Sequence, residues 1–311
     1  MKILVDLNSN VDCFSIKDEH RQRLIEEVPE HEFMFMDSYE ELKDSIAEAE
    51  MALVWKFPVH LYKKAERLKA LYTPAAGKDW LSLDPKEQVQ VFFSSFHGHL
   101  ISESFLSMLF YVNTKLAISV ENQRLKKWAR TALGKRRLLN GQSLLILGCG
   151  AIGATCAEKA KALGMDVAGV RRNIPTESQT IEWVQFSELA NIIGQYDHVL
   201  NLLPGGEETL KLVGENLIKM MKKGAIFYNF GRGTTVDEEA LVQALSKGDL
   251  GFAALDVTFD EPLRADSPLW DFENVLITPH NSCCYDDYLH LFIDEVKKKL
   301  LKNEDCVEGE A

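Results

Sequence analysis

Arg232, Glu261 and His280 each stand just past a short apolar run in the second half of this 311-residue chain. The runs are 225–229, 252–256 and 274–277. They lead into Gly231-Arg232-Gly233, Glu261-Pro262 and Thr278-Pro279-His280 respectively. In an open α/β sheet, ligands bind outside the carboxyl ends of the strands. If the three runs are neighbouring strands, a guanidinium, a carboxylate and an imidazole converge on one place. A guanidinium grips a carboxylate with two parallel hydrogen bonds, and an imidazole gives and takes a proton near neutrality. That equipment suits a reaction that holds an acid and moves a proton.

A second chemical signal lies upstream. The run 144–147 leads into Gly148-Cys149-Gly150-Ala151-Ile152-Gly153, and a helical pattern follows to about residue 163, where Gly164 can cap it. In such a loop the first glycine makes the tight turn, the second lets a pyrophosphate approach the backbone, and the third lets the helix pack on the strand. The amides of Ala151, Ile152 and Gly153 at the helix start would face the phosphates. An NAD site usually carries an acid at the end of the next strand, about 20 residues on, to hold the ribose hydroxyls. Here the strand 166–170 ends in Arg171-Arg172-Asn173, with no acid. Two guanidiniums suit a 2′-phosphate, so NADP is the expected cofactor and NAD the second choice. The alternative is that both arginines are solvated surface groups.

The elements that position these residues alternate from end to end, as strands and helices do in parallel α/β sheets. The first half offers strand-like runs at 3–6, 32–35, 52–55, 70–73 and 89–93. Pro58 fits an early position of a helix carrying Tyr62 and Ala65. An amphipathic helix is expected over about 99–113, then a polar, basic segment over 121–140. The second series begins at Gly141 with 144–147, 166–170 and 198–202, followed by the three runs named first. A last amphipathic helix over about 287–302 trails into an acidic tail that is expected to fray. Two domains follow, one built from 1–96 and 284–311, the other from 97–283.

Composition bounds the partners. A net charge of −12 argues against a nucleic-acid surface and against an anionic membrane. The chain is 46% hydrophobic and 26% charged, and no run approaches the ~20 apolar residues of a membrane span. The amino-terminal apolar stretch reads as a buried first strand, too short for a signal peptide. Six cysteines show no CxxC pair and no metal-ligand spacing, so no metal site is expected. Free thiols in a reducing compartment are the better reading, and the expected location is the cytoplasm.

Four segments together carry a resemblance. They are Gly148–Gly153 with its strand, Asn229-Phe230-Gly231-Arg232-Gly233 with Asp237-Glu238-Glu239-Ala240-Leu241, Ala254-Leu255-Asp256-Val257 with Glu261-Pro262-Leu263, and Thr278-Pro279-His280. In that order and spacing the chain resembles the D-isomer-specific 2-hydroxyacid dehydrogenase family, which includes glyoxylate/hydroxypyruvate reductases. The resemblance runs from about residue 68 to 282. It implies two doubly wound parallel-sheet domains, a Rossmann dinucleotide-binding domain and a flavodoxin-like substrate domain, and a homodimer. It also implies hydride transfer between NAD(P)H and a small 2-keto acid. Arg232 would bind the substrate carboxylate, His280 would be the general acid/base, and Glu261 would hold the imidazole and raise its pKa. Asp256 would hydrogen-bond the nicotinamide carboxamide, and Leu203-Pro204 would line the cofactor.

In the first domain, Pro74-Ala75-Ala76-Gly77-Lys78-Asp79 resembles the family's substrate loop, which implies amide contacts from Ala76 and Gly77 to the substrate. Trp55 and Phe57 are either pocket walls or core. His97 reads as an N-terminal helix residue. Three features depart from the family. The loop Leu203-Pro204-Gly205-Gly206-Glu207-Glu208-Thr209 lacks the usual first threonine, Phe230 stands where smaller residues are common, and Asn281-Ser282-Cys283-Cys284 follows His280 in place of a small, apolar run. Three other readings explain less. A nucleotide-sensing protein of the corepressor type expects docking surface and extensions that this chain hardly has. A phosphonate or formate oxidiser uses further pocket residues that are not identifiable here. An adenosylmethionine methyltransferase shares the glycine loop but leaves Arg232, Glu261 and His280 without a role.

Overall fold

The structure, a computed structural model, describes residues 1–134, 136–174 and 181–301. The chain divides into two compact units. One is Met1–His97 with the residues from Cys284 onward, and the other is Gly98–Cys283. The acidic tail beyond residue 301 lies outside the described residues.

The first unit holds β1 (Lys2–Asp6), β2 (Glu32–Phe35), β3 (Met51–Val54), β4 (Ala70–Thr73) and β5 (Gln90–Phe93). All pair in parallel, in the order β2-β1-β3-β4-β5. That is the flavodoxin order. Residues of β1, β3 and β4 such as Ile3, Leu4, Leu53 and Leu71 are wholly buried. A parallel sheet covered on both faces demands such continuous apolar runs. The helix Tyr288–Leu301 belongs to this unit and lies against the helix Asp18–Glu27. Arg23 donates to the His290 carbonyl at 3.1 Å and to the Asp294 carboxylate, and Lys297 pairs with Glu27 at 2.9 Å.

The second unit holds β6 (Ser143–Leu147), β7 (Asp166–Arg171), β8 (Glu182–Gln185), β9 (His198–Asn201), β10 (Ala225–Asn229), β11 (Leu250–Leu255) and β12 (Val275–Ile277). These strands are also all parallel, in the order β12-β11-β10-β9-β6-β7-β8. From β8 to β11 this is the doubly wound dinucleotide-binding order, in which the chain reverses direction between β6 and β9. The central strands are tied by a buried neutral histidine. His198 Nε2 donates to Gln142 Oε1 at 2.9 Å and Nδ1 accepts from Tyr228 Oη at 3.1 Å, while burial pushes its pKa down to about 4.

Two elements differ from expectation. β8 has no counterpart among the expected strands. It is a four-residue edge strand, Glu-Trp-Val-Gln, with one buried residue, and edge strands need no apolar run. Pro58 does not open a helix through Ala65. It precedes a short 3-10 turn, Val59–Lys63, and Ala65 lies beyond its end, its amide closing a single turn onto Leu61 O at 3.1 Å. Among the described residues, no helix is long and apolar enough to cross a membrane, and the five described cysteines are free.

Candidate active site

Each residue that could do chemistry in the second unit leaves the carboxyl end of a strand. Gly148 follows β6 with a φ of +78°, and a Cβ there would stand 3.0 Å from the Leu202 carbonyl, so only glycine fits. Gly153 is nearly as constrained, since a Cβ would come within 3.2 Å of Ile146 in β6. Gly150 is different. It precedes the helix Ala151–Ala162, and the Cβ it lacks would meet nothing within 4 Å. The space in front of the helix's amino end is therefore open, and the amides of residues 151–153 have no intrahelical acceptor. This cradle fits a diphosphate.

Arg171 ends β7 and Arg172 follows it, both exposed. Arg172 pairs with Glu208 on the loop after β9, with each side chain more than 70% exposed. Arg171 has no ion-pair partner among the described residues. The loop after β9 is closed on itself, with Thr209 Oγ1 donating to Pro204 O at 2.6 Å. A Cβ on Gly231 would lie 2.5 Å from Leu203 O, and one on Gly205 would lie 3.4 Å from Arg232 Cγ. Gly231 thus lets the Arg232 loop lie against the loop after β9, whereas a side chain at Gly205 would make ordinary contact with the arginine. Phe230 is 5% exposed and packs in the core, facing Phe105 edge-on at 6.2 Å.

A buried polar network carries the Arg232 loop, and no sequence expectation included it. Asn201 Nδ2 donates to Asn229 Oδ1 at 2.9 Å and to Thr235 Oγ1 at 2.7 Å. Thr235 Oγ1 in turn donates to Arg232 O at 2.6 Å. All three side chains are buried. Buried polar groups are retained only when satisfied, and this set fixes the backbone on both sides of the guanidinium. Asparagines at the carboxyl ends of two adjacent apolar runs were the available signal.

Asp256 organises the next loop. Its carboxylate, 2% exposed, accepts from Thr278 Oγ1 at 2.6 Å, Asn281 N at 3.0 Å and Ser282 N at 3.2 Å. The backbone amide of His280 donates to Asp256 O at 2.8 Å. These bonds hold His280 at a φ of +49°, left-handed backbone that costs a non-glycine residue about 1 kcal/mol. Three accepted bonds leave the carboxylate room for about one more.

The strained histidine meets Glu261. His280 Nδ1 donates to Glu261 Oε2 at 2.8 Å, and Glu261 Oε1 accepts from Thr258 N at 3.2 Å. Nε2 is left to serve as acid when the ring is charged and as base when it is neutral. The Glu261 hydrogen bond raises the imidazole pKa above its usual value; desolvation and the Arg232 charge oppose, and the charges of Glu261 and Asp256 assist. Burial pushes the Glu261 carboxyl up, but the bond and charge of His280 outweigh it, so the group lies below the ordinary range. The two residues favour each other's charged forms. Both side chains are about 40% exposed, so solvent screens the pair.

The structure thus brings Arg232, Asp256, Glu261 and His280 to the ends of β10, β11 and β12, which are adjacent. Ala76 and Gly77 belong to the first unit. Their loop follows β4 and is anchored by Tyr288 Oη donating to Pro74 O at 2.9 Å. Trp55 and Phe57 are core there, 9% and 2% exposed, with Trp55 Nε1 donating to Phe14 O. His97 opens the helix His97–Thr114, is buried, and its Nε2 bonds Tyr288 Oη at 2.9 Å.

Similar proteins are known by sequence and by structure. Residues 106–282 match the family model described as D-isomer specific 2-hydroxyacid dehydrogenase, NAD binding domain. A glyoxylate reductase of Aeropyrum pernix is 32% identical over 254 residues, 78% of this chain and 76% of that protein. A glyoxylate/hydroxypyruvate reductase B of an Enterobacter species is 30% identical over 232 residues, 72% of this chain and 71% of its own. Among solved structures, a D-isomer specific 2-hydroxyacid dehydrogenase from Xanthobacter autotrophicus, crystallised with NADPH and MES, superposes with a TM-score of 0.82 at 25% identity. That match covers 100% of this chain and 98% of the other.

Proposed function

The chain belongs to the D-isomer specific 2-hydroxyacid dehydrogenase family, an NAD(P)-dependent oxidoreductase family, and from that premise we propose that it reduces a small 2-keto acid to the D-2-hydroxy acid with NADPH. The observation that carries the proposal is the guanidinium of Arg232 beside the hydrogen-bonded Glu261–His280 pair. Arg232 binds the substrate carboxylate and turns the keto oxygen toward His280. The reduced nicotinamide, when bound, supplies the hydride. His280 Nε2 gives its proton to the oxygen as the carbonyl becomes an alcohol, and Glu261 holds the ring and keeps the imidazolium populated. Carbonyl, hydride and proton together make the hydroxy acid; oxidation runs the same path with His280 as base.

In this reading the second unit is the dinucleotide-binding domain and the first is the substrate domain. Gly148, Gly150, Ala151, Ile152 and Gly153 hold the diphosphate, Leu203 and Pro204 line the cofactor, and Asp256 uses its remaining acceptor capacity on the carboxamide. Ala76 and Gly77 give backbone amides to the substrate. A screen of glyoxylate, hydroxypyruvate, pyruvate and bulkier 2-keto acids, with NADPH and NADH in parallel, tests the proposal. Cofactor binding without turnover of any of them would favour a nucleotide-sensing protein instead.

NADPH should exceed NADH in kcat/KM, because Arg171 stands where a ribose-binding acid would otherwise be. Charge-assisted contacts to a partly solvated phosphate supply roughly 2–3 kcal/mol, or about 30- to 150-fold. Most of this belongs to Arg171, since Arg172 must first exchange Glu208 for the phosphate. Arg171→Asp should erode or reverse the preference, and the wild-type preference should shrink with salt. Equal use of both cofactors by the unmodified protein would make the arginines surface groups and NAD the cofactor.

We further propose a homodimer. Large apolar side chains at Phe110, Leu116, Ile118, Leu125, Trp128 and Leu138 are exposed in one stretch of the second unit, Trp128 at 93%. Such a concentration is unusual on a monomer surface. Sedimentation equilibrium at micromolar concentration should report two chains, and Trp128→Glu should shift the protein toward one. A wild type that sediments as a single chain ends the dimer proposal.

A further inference from the structure

Glu261 reaches His280 from a loop that is also bonded to another acid. The loop after β11 runs from Asp256 to Glu261. It carries two internal bonds, Thr258 N to Glu261 Oε1 and Thr258 Oγ1 to Asp260 O at 2.8 Å. Something outside the loop must fix it. Gly233 lies so close to the Thr258 carbonyl that a side chain there would collide with it, which sets the Arg232 loop against this one. Farther along the same segment, Glu238 Oε1 accepts from Phe259 N at 2.6 Å. Glu238 is the first residue of the helix Glu238–Lys247. That helix is held in turn by Asp237, which accepts from Ala240 N, and it packs on β11 through buried Ala240, Leu241, Ala244 and Leu245.

We propose that Glu238 is a positioning residue for the proton-transfer pair, fixing the 258–261 turn on a rigid helix end so that Glu261 meets His280 at hydrogen-bond distance. The inference rests on the reading of His280 and Glu261 as that pair. Three observations carry it. The bond is short, to an amide adjacent to the Thr258 amide that Glu261 itself binds. The carboxylate is held there against a cost, because burial and the charge of Asp260 both push its pKa up while the Phe259 amide pulls it down. A solvated first-turn glutamate would bear neither burden. Finally, the turn is held at two successive residues by the segment after β10, with Gly233 packed against the Thr258 carbonyl too closely for any side chain and Glu238 bonded to the Phe259 amide.

The test reads the imidazole. The charged groups that act most on His280 are Glu261, Asp256 and Arg232, and Glu238 is not among them. A change at His280 on altering Glu238 therefore has to travel through the turn. In E238A the ring titration of His280, followed by NMR and assigned with His280→Gln, should fall by roughly 0.5–1 pH unit as the Glu261 bond loosens. The alkaline limb of kcat/KM for reduction should move down with it. E238Q, whose amide oxygen still accepts from Phe259 N, should keep the wild-type titration. If E238A does not fold, E238D, one methylene too short to reach, takes its place with the same expected fall. A lower melting temperature with an unmoved His280 titration would reduce Glu238 to a structural residue and overturn the proposal. E261Q measured in parallel separates the two claims. A shifted limb in E261Q with an unshifted one in E238A defeats only the positioning role, whereas limbs unmoved in both defeat the pair as well.

Discussion

Arg232→Ala is expected to lower kcat/KM for the best 2-keto acid by about 10²–10⁴, with cofactor affinity nearly unchanged. The guanidinium is proposed to serve the substrate's carboxylate and keto oxygen, and its loss removes on the order of 3–5 kcal/mol of transition-state binding. The backbone that carries it is held by Asn201, Asn229 and Thr235 through bonds that do not involve the guanidinium. The loop should therefore survive the substitution, and a thermal melt should move by little. Lysine is not expected to rescue, because a point charge cannot reproduce a planar fork. Steady-state kinetics with NADPH held saturating make the measurement. Wild-type kcat/KM in the variant would remove Arg232 from the site.

His280→Gln is expected to lower kcat for reduction by about 10²–10⁴, the usual contribution of a positioned general acid. The pH profile gives a second readout. Glu261 raises the folded pKa of His280 above its ordinary value, and reduction needs the imidazolium. Wild-type activity should therefore be full below that raised pKa and fall as pH rises through it, a limb that glutamine abolishes. Oxidation needs the neutral ring, so its limb has the opposite sense and should also vanish. An unchanged alkaline limb in the glutamine variant would mean that some other group supplies the proton.

Much of this site could be read from residues in order. Parallel strands buried on both faces must be apolar along their length, so the central strands announce themselves, and ligand residues must follow them. Arg232, Glu261 and His280 were legible for that reason, each a polar residue just past an apolar run beside glycine or proline. β8 was not, because an edge strand such as Glu182–Gln185 carries no such demand. Glu238 was hidden differently. An acid in a first helical turn is already explained by the helix dipole, so nothing in its type or place reveals the amide 21 residues on that it holds. The Arg172–Glu208 pair joins loops 36 residues apart, a distance that no local pattern spans. Pro58 misled because its preference for a first helical turn says nothing about how many turns follow.

The last helix has a bearing on how the chain is made. Its buried residues Phe292, Ile293 and Val296 complete a unit whose five strands are all encoded before residue 97. On a ribosome adding about 5–20 residues per second, that helix emerges roughly 10–40 seconds after His97. For that interval the first unit has its sheet but not its closing helix, while the whole of Gly98–Cys283 becomes available to fold. Of the two units, the one begun earlier is finished later, and a chain cut short anywhere before residue 288 leaves it incomplete.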